Sequence, residues 1–151
     1  MSRTVNTHPL AVFVENRPGH LIAPCRRLAE AGINIVALAL AETQQYGILR
    51  LIVRDWQQAK EVLKAGGFRV TITEVLAVQV EDRPGGLVEV LEPISAAGLN
   101  VEYMYAFSTK AGDQAALVFR FEDPDLALTA LNGSNVNFVD VVDLFSRLNH
   151  V

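Results

Sequence analysis

Hydrophobic and polar residues follow two different periods along the first half of the chain, and these periods predict its strands and helices. Short apolar runs bounded by proline, glycine or polar residues indicate strands, whereas apolar residues spaced three or four positions apart indicate helices. Pro18-Gly19 ends the first strand, Gly32 lies where the first helix should end, and Asp55 is placed to cap the second helix. The predicted elements, in the order β-α-β-β-α-β, cover residues 10–14, 21–31, 33–41, 48–53, 56–64 and 68–73.

The second half of the chain repeats the first half. Residues 15–21 (ENRPGHL) return as 81–87 (EDRPGGL), and residues 31–35 (AGINI) return as 97–101 (AGLNV), in both cases 66 positions later because 83 − 17 = 66. Over the 22 positions that begin at the first motif, eight residues are identical without a gap, which is difficult to obtain by chance. Farther downstream the offset is 68, so the second copy carries two additional residues, which fit best in the polar loop at 108–113. Its elements are predicted in the same order, at residues 74–80, 87–97, 101–107, 115–121, 124–131 and 136–142.

This element order within about 65 residues is the split βαβ, or ferredoxin-like, arrangement, in which an antiparallel four-stranded sheet carries two helices on one face. We therefore predict an α+β protein made of two such βαββαβ repeats, with a first domain at residues 1–73 and a second at 74–151. Pro24 falls in the first turn of its helix, where proline is tolerated. Pro93 falls deeper in the equivalent helix and should kink it or displace its start.

The sheet faces that carry no helix are expected to be buried as well. The strand at 35–40 is apolar at every position, and Tyr103, Tyr105 and Phe107 line one face of the corresponding strand in the second repeat. Packing of sheet against sheet, between repeats or between chains, would cover such surfaces. On this ground we expect a homodimer.

Composition and charge exclude several classes of protein. The net charge of −4 and a pI near 5.3 leave little basic surface for nucleic acid. No apolar run reaches the roughly 18 residues of a membrane span, and the first residues lack the apolar stretch of a signal peptide. Cys25 is the only cysteine, so neither an internal disulfide nor a cysteine-rich metal site can form. We expect a cytoplasmic protein with no nucleic-acid or membrane partner, no metal site and no cofactor.

The turn after the first strand of each repeat is the first candidate site. It reads Asn16-Arg17-Pro18-Gly19 in one repeat and Asp82-Arg83-Pro84-Gly85 in the other. Proline fixes φ, glycine permits close approach of the backbone, and the following helix directs its free N–H groups and the positive end of its dipole at this place. A carboxylate or phosphate could be held there without a basic side chain. A simple tight turn is the alternative interpretation, which the repetition disfavours.

Asn34 and Asn100 form the second candidate feature. Each follows a glycine and an apolar residue at the start of the second strand of its repeat, although asparagine has a poor strand propensity. An amide both donates and accepts hydrogen bonds, which suits the ammonium and carboxylate groups of an amino acid. We expect the second strand to begin beside the first turn, so that Asn34 faces a ligand held by residues 16–21. The alternative is that each asparagine bonds only to the local backbone.

These motifs resemble ACT domains. ENRPGHL followed by AGINI is similar to the ACT signature, both motifs occur in each repeat, and the resemblance extends from about residue 10 to residue 142. Residues 102–107 (EYMYAF) further resemble stand-alone tandem-ACT proteins of bacteria, which carry no catalytic domain. The resemblance implies a sensor of an amino acid that regulates a metabolic enzyme, with its ligand between the first loop of one domain and the second strand of its neighbour. The site residues that it implies are Asn16, Arg17, Pro18, Gly19, His20, Leu21, Asn34 and Ile35 in the first repeat and Asp82, Pro84, Gly85, Gly86, Leu87, Asn100 and Val101 in the second.

The two implied sites are not equivalent. Asp82 replaces Asn16, and Gly86 lacks the side chain that His20 supplies. Asp82 would repel a ligand carboxylate but could accept a hydrogen bond from an ammonium group. We therefore expect the first loop to be the better site for a carboxylate.

No set of residues predicts catalysis. Arg17 and Asn34 superficially match the arginine and asparagine of acylphosphatases, but the loop is shorter and different from theirs. His20 has no recognisable nucleophile or orienting partner, and His8 and His150, near the chain ends, are expected to be solvated. We therefore expect a ligand-binding regulatory protein that is not an enzyme. The alternative is a structural or dimerisation module with vestigial ligand sites that binds a partner enzyme.

Overall fold

The computed structural model describes residues 6–42, 44–108 and 113–140 of the chain. These residues form two compact units that separate at the junction of Thr73 and Glu74. The first unit is His8–Thr73. Asn6–Thr7, which the repeat pattern places in the first domain, belongs to the second unit because it forms a short strand there, β1.

The first unit has the predicted order of elements. They are β2 (Leu10–Glu15), α1 (Ile22–Glu30), β3 (Ile35–Glu42), β4 (Tyr46–Val53), α2 (Trp56–Ala65) and β5 (Arg69–Ile72). The strands form one antiparallel sheet in the order β3-β4-β2-β5, as in a ferredoxin-like fold. β3 therefore lies at one edge of this sheet.

Alternation along the strands directs one set of side chains toward the two helices. Leu10 and Val12 of β2 are buried in a core that they share with Leu51 of β4. Leu28 of α1 and Leu63 of α2 are fully buried in the same core. Burying a side chain of this size contributes about 1.5–3 kcal/mol relative to leaving it in water, so these contacts hold the helices on the sheet.

The second unit repeats this architecture. Its elements are β6 (Val75–Glu81), α3 (Gly86–Ala96), β7 (Val101–Ser108), β8 (Gln114–Phe121), α4 (Pro124–Ala130) and β9 (Phe138–Val139). The antiparallel sheet has β7 at one edge, followed by β8 and β6. β1 pairs with Val75 and Leu76 of β6, and β9 pairs with Ala77 and Val78, so the two short strands share the other edge. The predicted α+β fold of two ferredoxin-like repeats is confirmed.

Two details concern the predicted bounds of the second unit. β9 covers two residues of the strand predicted at 136–142, of which residues 141 and 142 lie outside the described part of the chain. α3 runs from Gly86 to Ala96 with Pro93 inside it, so the displaced start considered for this helix does not occur. Pro24 lies near the start of α1, where the sequence predicts that proline is tolerated.

Two further observations apply only to residues 6–42, 44–108 and 113–140. No helix among them combines the length and the apolar composition that a membrane span requires. No three His, Cys, Asp or Glu side chains in the same ranges are grouped closely enough to hold a metal ion.

Candidate functional site

The first candidate loop, residues 16–21, joins the end of β2 to the start of α1. The N–H of Asn16 donates to the carbonyl oxygen of Gln45 at 3.0 Å, and the N–H of His20 donates to the carbonyl oxygen of Arg17 at 3.2 Å. Gly19 has a φ of 85°, a left-handed conformation that glycine adopts without steric cost. The backbone of the loop is thus held in place, and the first N–H groups of α1 point toward it.

Four of the predicted residues line one cleft beside this loop. Arg17, Pro18, Gly19 and His20 form one side of a space of about 410 Å³. The rest of its lining consists of Phe13, Val14, Glu15, Ala23, Gly67 and Phe68. The cleft combines aromatic side chains, the ion pair of Arg17 with Glu15 and the N-terminus of a helix, whose free N–H groups can hold an anion.

Asn16 and Leu21 belong to the loop but do not line this cleft. The side-chain nitrogen of Asn16 donates to the carbonyl oxygen of Gln44 at 3.4 Å. Leu21 precedes the first residue of α1 and packs against the core of the first unit. Their roles in this unit are therefore to anchor the loop and to fix the start of the helix.

Asn34 does not lie beside the loop of its own unit. β2 ends at Glu15, which pairs with Tyr46 at the start of β4, whereas Ile35 at the start of β3 pairs with Val53 at the end of β4. The end of β2 and the start of β3 are therefore separated by the length of β4, which is roughly 24 Å at about 3.4 Å per residue. The expectation that the second strand begins beside the first turn is wrong for a single unit, because β2 and β3 are parallel and α1 carries the chain back to the far end of the sheet.

The asparagines and the residues after them differ in exposure. Asn34 and Asn100 are both exposed. Ile35 packs against the core of the first unit, and Val101 packs against that of the second. Of these four side chains, those of the asparagines are therefore the most open to contact with something outside their own unit.

The second candidate loop follows β6 and has a similar backbone anchor. The N–H of Asp82 donates to the carbonyl oxygen of Asp113, which occupies the position of Gln45 in the first repeat. Asp82 and Leu87 line a cleft of about 360 Å³ together with Ala106 of β7. Pro84, Gly85 and Gly86 form the turn but do not line that cleft.

Gly86 cannot be exchanged for the histidine of the first repeat. α3 begins at Gly86, whereas α1 begins at Ile22, two positions later in the repeat alignment. A Cβ on Gly86 would collide with the carbonyl oxygen of Glu81 at the end of β6. The second loop is therefore the tighter of the two, and it leaves no room for a counterpart of His20.

An ion-pair network in the second loop joins Glu81 and Arg83 of the motif to Glu89, a residue that the sequence motifs did not single out. Nε of Arg83 lies 2.7 Å from Oε2 of Glu81, and Nη2 lies 2.5 Å from Oε1 of Glu89. Hydrogen bonds to Glu89 and, secondarily, to Glu81 raise the pKa of the Arg83 guanidinium because they stabilise its charged form. In the first loop, Arg17 pairs only loosely with Glu15, at 3.3 Å with both side chains exposed. The sequence does contain a signal for this network, because position 89 is a glutamate whereas the equivalent position of the first repeat is Ala23.

One expectation about a histidine also needs correction. His8 was expected to be solvated, but it is half-buried and its ring stacks on Trp56 with a centroid distance of 5.0 Å. His150 lies outside the described residues.

Comparison with known proteins agrees with this architecture. The protein BT0572 from Bacteroides thetaiotaomicron is 35% identical, with a TM-score of 0.86 and coverage of 93% of this chain and 96% of that one. The regulatory subunit of aspartate kinase from Thermus thermophilus is 16% identical, with a TM-score of 0.57 and coverage of 86% and 92%. A putative C-terminal regulatory domain of aspartate kinase from Porphyromonas gingivalis is 12% identical, with a TM-score of 0.50 and coverage of 85% and 93%. The last two likenesses concern the fold alone, and no curated protein matches the chain.

The family match is more specific than these structural likenesses. The family described as ACT domain pair matches residues 5–148, nearly the whole sequence. ACT domains generally bind small ligands such as amino acids in regulatory proteins. Two ferredoxin-like repeats, the loop motif in each and this match together show that the chain belongs to the ACT domain pair family.

Proposed function

We propose that this protein is a regulatory protein without catalytic activity that binds an amino acid at the first loop, residues 16–21. The observation that carries the proposal is the cleft beside that loop, which Arg17, Phe13 and Phe68 line together with Ala23 in the first turn of α1. The guanidinium and the helix N-terminus would hold the ligand carboxylate, and the aromatic rings would contact its side chain. A space of about 410 Å³ is adequate for one amino acid.

The neighbouring domain that completes the site is supplied by a second copy of the chain. Asn34 and the first loop lie at opposite ends of one sheet, so a ligand that contacts both must lie between two domains. Edge strand β3 carries Leu38 and Leu40, which are 57% and 42% exposed although they share a face with buried Leu51 and Leu49. An apolar edge strand of eight residues is a surface that proteins cover, and a homodimer would cover it.

The proposed partner is a metabolic enzyme whose activity responds to the ligand. The regulatory subunit of aspartate kinase from Thermus thermophilus is a regulatory chain of similar fold, which supports this kind of partner. Ligand binding would act by favouring one arrangement of the dimer over another, and the effect on the enzyme would be limited by that difference in affinity.

The proposal is tested by a thermal-shift measurement on the purified protein with each of the proteinogenic amino acids. A ligand at about 100 times its Kd adds roughly 2.7 kcal/mol to the free energy of unfolding, which raises the melting temperature by several degrees. We expect a selective rise that Arg17→Ala and Asn34→Ala each abolish. Asn100→Ala is the matched control and should keep the rise. If no amino acid shifts the melting temperature, the sensor function is wrong and a dimerisation module with vestigial sites is the better account.

Mixing of variants tests where Asn34 comes from. Arg17→Ala chains and Asn34→Ala chains are combined, unfolded and refolded together, so that mixed dimers form. If each site takes its loop from one chain and Asn34 from the other, mixed dimers contain one intact site, and about a quarter of the wild-type binding capacity should return. Failure of the mixture to bind any ligand, with both variants folded, would show that the site is not shared between chains.

A further inference from the structure

The guanidinium of Arg83 is surrounded by acceptors from its own unit. In addition to the carboxylates of Glu81 and Glu89, the carbonyl oxygen of Pro84 accepts a hydrogen bond from Nη1 at 3.2 Å. Each of the three guanidinium nitrogens therefore has an acceptor, and two of these acceptors are charged. A carboxylate from solution would have to displace one of these bonds in order to pair with Arg83.

The corresponding arginine of the first repeat is held differently. Arg17 lies 3.3 Å from Glu15, and its side chain is 71% exposed, against 45% for Arg83. The position of Glu89 is taken by Ala23, a methyl group that lines the first cleft. Both guanidinium groups are therefore exposed, but that of Arg17 makes one ion pair, whereas that of Arg83 is held between two carboxylates.

The summed charge is more negative around the second loop than around the first. At neutral pH, Glu15 and Arg17 sum to zero in the first loop. In the second loop Glu81, Asp82 and Glu89 contribute −3 and Arg83 contributes +1, a sum of −2. A ligand carboxylate that approaches the second loop therefore meets net repulsion from this negative charge.

We propose that Glu89 closes the second loop to ligand carboxylates by supplying a carboxylate from the chain itself, so that each chain binds ligand at its first loop only. The proposal rests on the proposed function in the sense that the first loop is the anion site. It goes beyond that function in assigning Glu89 as a specificity-determining residue and in fixing the stoichiometry at one ligand for each chain.

The test uses the reaction of arginine side chains with phenylglyoxal, followed by peptide mass mapping of the folded protein. The neutral guanidine is the nucleophile that adds to the carbonyl groups of this reagent, so a guanidinium whose charged form is stabilised by two carboxylates should react about three- to tenfold more slowly. In the wild-type protein we expect Arg17 to react faster than Arg83 by this factor. Glu89→Ala should raise the reaction rate of Arg83 to nearly that of Arg17, and Ala23→Glu should slow the reaction of Arg17.

Matched variants make the outcome specific. Glu89→Gln keeps the shape of the side chain and one acceptor oxygen, and should give an intermediate rate. Glu92→Ala removes a further carboxylate from the cleft that Arg83 and Glu89 also line. Since Glu89 and Glu81 are the carboxylates that raise the pKa of Arg83, this variant should leave the rate of Arg83 unchanged. Equal rates for Arg17 and Arg83 in the wild-type protein, or no effect of Glu89→Ala with the fold intact by circular dichroism, would overturn the proposal.

Because phenylglyoxal requires no ligand, this test is independent of the amino-acid screen. If no amino acid binds but Arg83 is shielded by Glu89, only the sensor function fails. If an amino acid binds, equilibrium dialysis with that amino acid should give one site for each wild-type chain and two for the double variant Asp82→Asn, Glu89→Ala. Two sites in the wild-type chain would contradict the proposal.

Discussion

The carbonyl oxygen of Glu81 lies so close to Cα of Gly86 that no side chain fits between them. The φ of Gly86 is not positive, so this glycine is required for space and not for its backbone conformation. Gly19 in the first loop is the reverse case, because its φ is 85° and a Cβ would meet no atom within 4 Å. Two glycines in equivalent loops therefore serve different physical purposes.

Substitutions at these glycines should rank in opposite orders. At Gly86, alanine should destabilise the protein by about 1–3 kcal/mol through overlap with the backbone, and asparagine should be worse because it is larger. At Gly19, alanine should cost about 1–2 kcal/mol from the left-handed φ, and asparagine should be better tolerated than alanine. Urea unfolding of the four variants measures both rankings. If Gly86→Asn is more stable than Gly86→Ala, the steric explanation is wrong.

Much of the fold could be predicted because its signals are local. The periodicity of apolar residues and the repeated motifs define the elements, and their order selects the ferredoxin-like arrangement. The pairing of Asn6 with Leu76 could not be predicted in this way, since the strand has two residues and its partner is distant in the sequence. Pairing of this kind depends on three-dimensional proximity and not on any local pattern.

The candidate site was predicted less well, for two reasons. The loop residues carry a short motif, but Asn34 was placed at the wrong end of the sheet because its position depends on the direction of β3. The contact of Arg83 with Glu89 spans six residues and bridges a turn and a helix, which no helical spacing rule covers. Only a comparison of position 23 with position 89 would have drawn attention to it.

Equivalent core positions of the two repeats should respond alike to truncation. Leu28 in α1 and Ile94 in α3 are 66 positions apart, and their exposed fractions are 0% and 3%. Leu28→Ala and Ile94→Ala should each lower the free energy of unfolding by about 2–5 kcal/mol through lost burial and a residual cavity. Chemical denaturation measures the loss, and Ala96→Ser, at an exposed position of α3, is a control that should change it little. A loss below about 1 kcal/mol at either core position would contradict the assigned packing.

The second helix of each repeat should depend on its aspartate cap. The carboxylate of Asp55 accepts from the N–H of Gln58 at 3.0 Å, and that of Asp123 accepts from the N–H of Leu126 at 3.1 Å. Asp55→Ala and Asp123→Ala should each cost about 0.5–2 kcal/mol, whereas Asp55→Ser should recover most of the loss because serine also caps. Thermal unfolding followed by circular dichroism compares the variants. If Asp55→Ser is no more stable than Asp55→Ala, the aspartate acts through its charge and not as a cap.

The stacking of His8 on Trp56 gives the first unit an optical reporter. Trp56 is the only tryptophan of the chain, and its ring plane is inclined by 27° to that of His8. His8→Ala should expose the indole, move its fluorescence emission to longer wavelength and cost about 0.5–1.5 kcal/mol of stability. His8→Phe keeps an aromatic ring in contact and should preserve both the spectrum and the stability, while His20→Ala removes a histidine elsewhere and should not affect the emission. If His8→Ala and His20→Ala have the same emission spectrum, the contact between His8 and Trp56 does not shield the indole in solution.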